Sequence, residues 1–344
     1  MAICRMKVRV GLVGLGEGWE RRHLPALQAL ADRFEVRAVC DQVGHRAQLA
    51  AAQFGAQTVD GFRALAARED VDAVLLLAPQ WYGPLPILAA CGQRKAIYCG
   101  QGACFEPDRA DAIRKCVESA GVVFMAELPR RQSPATLRLK ELIATRLGPP
   151  RLLFCHHRMP SGDRRSHPPG CFAQASILQE LVELVDWCRY VVGKEPHGVS
   201  GVSHGTHGTG DETEADYVMM SLDFSEEGAS PGTGAIAQIS CGRYFPAGWH
   251  EAIAYRPLAA LQACCEQGIA FVDLPSTVVW FDEAGRHQES LESERPASEQ
   301  LLAQFHRAIG GAARKGNDLE DACRALAIVQ QAVRSFREGR RVEL

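Results

Sequence analysis

Three stretches of the chain combine residue types and spacings that could do chemistry. The first, "GLGEGW" (residues 14–19), directly follows the apolar run "VRVGLV" and precedes a helix-like segment. A glycine turn in that context can present backbone N–H groups to a pyrophosphate. Asp41 ends the second apolar run, where a carboxylate would accept hydrogen bonds from an adenosine ribose and repel a 2′-phosphate, favouring NAD over NADP. The cofactor candidates are therefore Gly14, Leu15, Gly16, Glu17, Gly18 and Asp41, with Ala78 and Pro79 at the end of "DAVLLLAP". Trp19 stands where G-x-G-x-x-G has its third small residue, so nucleotide binding is expected to be altered, weakened or lost unless Gly18 takes over in a turn one residue longer.

The second stretch, "IYCGQGAC" (97–104), has only two thiols able to move a proton near neutrality. In the third, "QELVELVDW", Gln179 and Glu183 are four residues apart and share one helix face. Gln101 and Gln179 can hydrogen-bond a hydroxyl but cannot take its proton, whereas Glu183 can, once a half-buried cleft raises its pKa. The competing reading of Glu183 is a salt-bridged carboxylate, for instance with an arginine of "GDRRSH". In "CHHRM" (155–159), strand alternation sends Cys155 and His157 one way and His156 and Arg158 the other. His157 and Arg158 are counted as pocket candidates, together with Trp81 and Tyr82, whose rings could stack on a ligand. His204, His207 and Asp211 lie in a Gly/Thr-rich polar stretch that reads as a solvated loop, so no metal is expected.

Positioning these groups requires elements that the apolar pattern supplies. Up to about residue 127, short unalternating apolar runs (7–13, 35–40, 72–79, 96–100, 122–127) are separated by segments of helical spacing. Strands without alternation are buried on both faces, which predicts a parallel, helix-covered sheet. Beyond "LPRRQSP" come a helix (135–148), a strand (151–159), a polar Pro/Gly/Arg stretch and a long helix (174–193). Several strand candidates then follow one another without helices, which predicts a largely antiparallel sheet, before a final helix at 321–339 that could pack back on the first part. The boundary is expected near Leu128.

The composition excludes several partners. With 344 residues, 47% of them hydrophobic, the chain can bury a large core in about two domains. Lys+Arg at 38 against Asp+Glu at 41 leaves a net charge of -3, with no basic stripe for nucleic acid and no polybasic membrane signal. A small-molecule ligand is the expectation. The 13 cysteines lack the spacing of a secreted disulfide framework, and the apolar start is too short for a membrane span, so a cytoplasmic protein is expected.

The order of "VGLVGLGEGWERRHLPAL", "DAVLLLAP", "GQRKAIYCGQGA", "RRQSP", "ELVDWCRYVVG", "CEQGIAFVDLP" and "AVRSFREGRRVEL" resembles the Gfo/Idh/MocA oxidoreductases along nearly the whole chain. The resemblance implies an α/β protein: an N-terminal Rossmann dinucleotide-binding domain (1–128) and a C-terminal α+β domain (129–344) with an open, mainly antiparallel sheet. It also implies NAD(P), a sugar, inositol or related polyol in the cleft, and a homo-oligomer formed through the open sheet. The family's Glu-Lys-Pro aligns with Gly100, Gln101 and Gly102, its helix Asp and His with Gln179 and Glu183, and a further His with Gly83. Two readings follow. One is an oxidoreductase with replaced acid/base groups, in which Glu183 is the base and Gln101 a hydrogen-bond donor. The other is a non-catalytic ligand-binding, regulatory or partner subunit, assembled with an active homologue.

Overall fold

Apolar strands with no polar face need cover on both sides, and the first part of the chain provides it. The computed structural model describes residues 7–16, 18–100, 107–161, 173–205, 215–246, 248–249, 251, 259–292, 295–311 and 318–344. Two compact units emerge: Met1–Pro129 with Arg295–Cys323, and Arg130–Glu294 with Arg324–Leu344.

In the first unit, β1 (Val8–Val13), β2 (Phe34–Cys40), β3 (Gln57–Thr58), β4 (Ala73–Leu76), β5 (Ala96–Cys99) and β6 (Phe124–Ala126) form one parallel sheet. Its order, β3-β2-β1-β4-β5-β6, is that of the doubly wound dinucleotide fold, and it brings the carboxyl ends of β1, β2, β4 and β5 side by side. One face is covered by a cluster that includes Leu27, Ala47 and Ala50, and by Leu301, Leu302 and Phe305 of the late helix Ala297–Ile309. The other face carries Leu65, Ile87, Ile113 and Val117, joined by Leu319 and Ala322. The final helix, Asp318–Glu338, contributes those last two residues here, whereas its Ala325, Ile328, Val329 and Ala332 belong to the core of the second unit.

Among the described residues the second unit is built on a nine-stranded sheet in the spatial order β14 (Gly285–Ser290), β13 (Thr277–Asp282), β12 (Ile269–Asp273), β11 (Leu261–Cys265), β7 (Pro150–Ser161), β10 (Ile236–Pro246), β9 (Tyr217–Asp223), β8 (Gly198–His204) and β15 (Val342–Glu343). Its central strands are β7 and β10, which run parallel; the other pairings are antiparallel. Alternation is visible along β7, where Leu153 and Cys155 are buried and Leu152 is exposed. The long helix Ala173–Val192 buries Leu181, Leu184, Val185, Trp187 and Cys188 in the same core. One of the consecutive strand candidates expected in this part, "AIAYRPL" (252–258), lies outside the described residues.

A short helix, Pro134–Leu142, opens this unit, and its start explains why "RRQSP" turns there. Ser133 is the N-cap and Pro134 follows at the first helical position, where its missing N–H costs nothing. The Ser133 hydroxyl accepts from the Thr136 N–H at 3.3 Å and meets the Thr136 hydroxyl at 2.9 Å, which in turn accepts from the buried Trp187 indole N–H at 2.9 Å. Ser133→Ala is therefore expected to lower stability by about 1 kcal/mol, read as an earlier midpoint in urea unfolding. An unchanged midpoint would show that the cap adds nothing.

Candidate functional site

In the first unit the site begins where β1 runs out. Gly14 and Gly16 have φ of 66° and 64°, the left-handed region that L side chains avoid. Space also demands glycine: a Cβ on Gly14 would lie 2.7 Å from the Tyr82 ring, and one on Gly16 would lie 3.2 Å from the Leu77 carbonyl oxygen. The buried Ala78 methyl presses on both, and Pro79 starts the short helix Pro79–Tyr82. This leaves a bare backbone cradle at the carboxyl end of the sheet.

Asp41 holds that cradle in place. One carboxylate oxygen accepts from the Leu15 N–H at 2.8 Å and the other from the Val43 N–H at 2.8 Å. Arg46 donates to the Gly16 carbonyl at 2.7 Å, with its guanidinium 5.6 Å from the centre of the Trp81 ring. Trp81 thus stands beside the turn. Tyr82, by contrast, packs under Gly14 and edge-on to Phe62 at 6.1 Å, and burial pushes its phenol pKa upward. Glu17 and Gln101 lie outside the described residues, as do residues 206–214 with His207 and Asp211. Among the described residues no group of three or more His, Cys, Asp and Glu side chains is placed to hold a metal ion.

Trp19 does not face the cradle. It opens a five-residue π-helical turn, Trp19–His23, in which the Arg22 and His23 N–H groups both reach the Gly18 carbonyl, at 3.0 and 3.3 Å. The wider turn absorbs the extra residue. Its indole is buried in the core, 6.2 Å from Phe54 and edge-on to it, and Gly18 is left at the turn. His23 is buried as well, beside Glu127, and burial lowers its pKa.

The candidates of the second unit meet on a different set of contacts. Glu183 pairs with Arg130 at 3.3 Å, and Arg130 also binds Glu180 at 2.6 Å. Glu180 in turn lies 3.6 Å from Nε2 of His157, whose pKa burial lowers although Glu180 opposes this. Glu183 thus has an arginine partner at residue 130, while the "GDRRSH" stretch (162–167) lies outside the described residues. His157 joins this cluster and Arg158 does not: on the opposite face of β7, Arg158 lies 5.7 Å over the Phe245 ring, and His156 meets the Ser240 hydroxyl at 2.7 Å. Gln179 lies on the same helix, half-buried, one turn before Glu183. Next to the cluster, Arg131 is paired with the buried Asp186, its Nε 2.6 Å from Oδ2. Arg130 and Glu180 went unnoticed in the sequence. The available hint was two consecutive arginines after a strand together with two carboxylates one helical turn apart.

Comparison with known proteins gives these features a context. Residues 8–128 match the family described as "Oxidoreductase family, NAD-binding Rossmann fold". The chain is 25% identical over 347 residues to the inositol 2-dehydrogenase of Rhizobium meliloti, covering 98% of this chain and 100% of that one. It is 29% identical over 191 residues to the inositol 2-dehydrogenase of Mycolicibacterium smegmatis, a match to 55% of this chain and only about half (54%) of that relative. In fold it is similar to the aldose-aldose oxidoreductase of Caulobacter crescentus complexed with glycerol, with a TM-score of 0.81, 17% identity, and coverage of 98% of this chain and 100% of that one.

The buried His23 gives a pH dependence with a definite sign. Its folded pKa lies below the ordinary 6.5 because burial disfavours the imidazolium. The unfolded chain therefore binds more protons than the folded one as pH falls through 6.5, and stability is lost toward acid. Urea unfolding between pH 7.5 and 5.5 should show this decline, and His23→Gln should shed up to about one proton of its slope. An identical slope in the variant would place the titration elsewhere.

Proposed function

This chain belongs to the Gfo/Idh/MocA oxidoreductase family, and from that premise we propose an NAD-linked member acting on a sugar-like or cyclic polyol ligand whose usual proton-transfer groups are replaced. Ordinary polyol dehydrogenation is then impaired or absent. The glycine turn, where a Cβ on Gly14 would collide with Tyr82 and one on Gly16 would crowd the Leu77 carbonyl, together with Asp41 suits a dinucleotide pyrophosphate and ribose. Bound NAD would supply the hydride acceptor. Asp41, carrying a negative charge at the ribose end, supports a preference for NAD over NADP.

One observation carries the proposal: the Glu183 carboxylate is joined to Arg130, a guanidinium that is only 14% exposed and already bridges to Glu180. To lend that carboxylate to a substrate proton would leave a largely buried cation under-paired, which is costly. Gln179 and Gln101, at the other family positions, can hydrogen-bond but not accept a proton. A general base contributes roughly 10²- to 10⁴-fold, and the missing lysine removes the cation that would stabilise a developing alkoxide. The same ion pair favours the second reading, a non-catalytic ligand-binding, regulatory or partner subunit of this fold. Trp81 and His157 remain proposed ligand contacts.

Assembly and location follow from the same reading. The open face of the second-unit sheet exposes Leu152, Val202, Ile269 and Phe281, an apolar surface that a second copy or a homologue would cover. Ten cysteines of the described residues are free thiols, which suits a cytoplasmic protein. No helix of the described residues is long and apolar enough to cross a membrane.

Inositols, hexoses and their acids supplied with NAD should give no readily measurable rise in NADH absorbance. If slow turnover appears, Glu183→Gln should abolish it and leave NADH affinity intact. Robust turnover that survives Glu183→Gln would show that the proton goes elsewhere. Calorimetry should give tighter binding of NADH than of NADPH, and equal affinities would contradict the role of Asp41. Light scattering at micromolar concentration should exceed the 37.5 kDa of one chain, and a monomer there would reject the assembly.

A further inference from the structure

One charged group at the carboxyl ends of the parallel strands has no role in the reading above. Glu127, directly after β6, is fully buried. A buried carboxylate is unfavourable unless paired. Its Oε2 accepts from Arg22 Nη2 at 3.2 Å and lies 3.9 Å from Nε2 of His23. Since burial lowers the His23 pKa, Arg22 is the charged partner at neutral pH. The Glu127 N–H donates to the Cys99 carbonyl at 2.8 Å, which ties the residue to the end of β5. A Cβ on Gly100 would lie 3.2 Å from Oε2, so the carboxylate fills the space that a side chain at residue 100 would claim.

Arg22 reaches from this buried anchor to the glycine turn. The π-helical turn presents it, and its Nε and Nη2 lie 3.1 and 3.2 Å from where a Cβ on Gly18 would stand. Its guanidinium therefore rests on the turn that the NAD-binding reading assigns to the pyrophosphate. The side chain is 36% exposed, and its contacts with Glu127 and His23 both use Nη2. A guanidinium fixed from behind by a carboxylate, with its remaining N–H groups beside a bare glycine backbone, suits the planar, multi-donor recognition of phosphate oxygens. Tethering also limits the rotamer freedom that a long side chain would lose on binding.

We propose that Arg22 binds the pyrophosphate of the dinucleotide and that Glu127 is the positioning residue that holds its guanidinium at the turn. The inference rests on the NAD-binding reading, and one experiment separates the two. The intact protein and the variants Arg22→Met, Arg22→Lys and Glu127→Gln are titrated by calorimetry with NADH, ADP and adenosine. In Arg22→Met, affinity for NADH and ADP should fall by about tenfold or more, with adenosine changed less than about twofold. Arg22→Lys should recover part of the loss, because the charge returns without the fork. Glu127→Gln should weaken ADP but not adenosine, and the ADP affinity of Arg22→Met should depend less on salt than that of the wild type. Unchanged or tighter ADP binding in Arg22→Met overturns the proposal, as does an equal loss for adenosine, which would mark a merely structural role. Wild-type protein that binds neither ADP nor NADH overturns the NAD-binding reading together with it; wild-type binding with an unaffected Arg22→Met overturns the inference alone. Should Glu127→Gln fail to fold, the part-exposed Arg22 variants still decide.

Discussion

The carboxylate of Asp41 accepts one backbone N–H on each oxygen, from Leu15 within the glycine turn and from Val43 just past the second strand. The dinucleotide half of the protein is arranged around that bond pair. Moving Leu15 away would break one of the two bonds that fix this carboxylate at the carboxyl end of the sheet, which helps to hold the left-handed conformations of Gly14 and Gly16. Arg46, bound to the Gly16 carbonyl and stacked near Trp81, braces the same loop from the following helix. A turn braced in this way does not have to be ordered by a ligand, which favours affinity.

The second unit applies a buried charge to the opposite effect. Arg130 divides its guanidinium between Glu180 and Glu183, and the neighbouring Arg131 is paired with Asp186, so the acidic face of the long helix is neutralised by two consecutive arginines. Such pairs are a modest source of net stability, but removing one partner of a buried pair costs about 3–5 kcal/mol. That asymmetry makes the Glu183 carboxylate hard to recruit for proton transfer. A glycine turn held in place and a neutralised helix face are the two features on which the proposed reading, ligand binding with impaired turnover, rests.

Much of this was legible in the residues themselves. Gly14, Gly16 and Asp41 could be read because their spacing follows backbone geometry, and the unalternating strands forced a parallel, covered sheet. Trp19 was less transparent. Read with α-helical spacing it lands at the phosphate position, and no local signal announces a π-helical turn, whose formation depends on the apolar pocket near Phe54 that receives the indole. Trp81 and Tyr82 are adjacent and look alike in sequence, yet one stands beside Arg46 and the other packs beneath Gly14. The Arg130–Glu183 pair joins positions 53 residues apart, which helical periodicity cannot report. Strands such as Gly198–His204 and Gly285–Ser290 were overlooked because each is polar or Gly/Ser-rich and is held by its neighbours in the ladder more than by its own pattern.

The central claim is that the glycine turn, with Gly18 in place and Trp19 withdrawn into the core, forms a working dinucleotide site. Titration of the purified protein with NADH, following energy transfer from protein tryptophan to the bound nicotinamide, tests it most directly. Saturable one-to-one binding with a dissociation constant of roughly micromolar order is the predicted result, and the absence of any saturable signal up to millimolar NADH would contradict it.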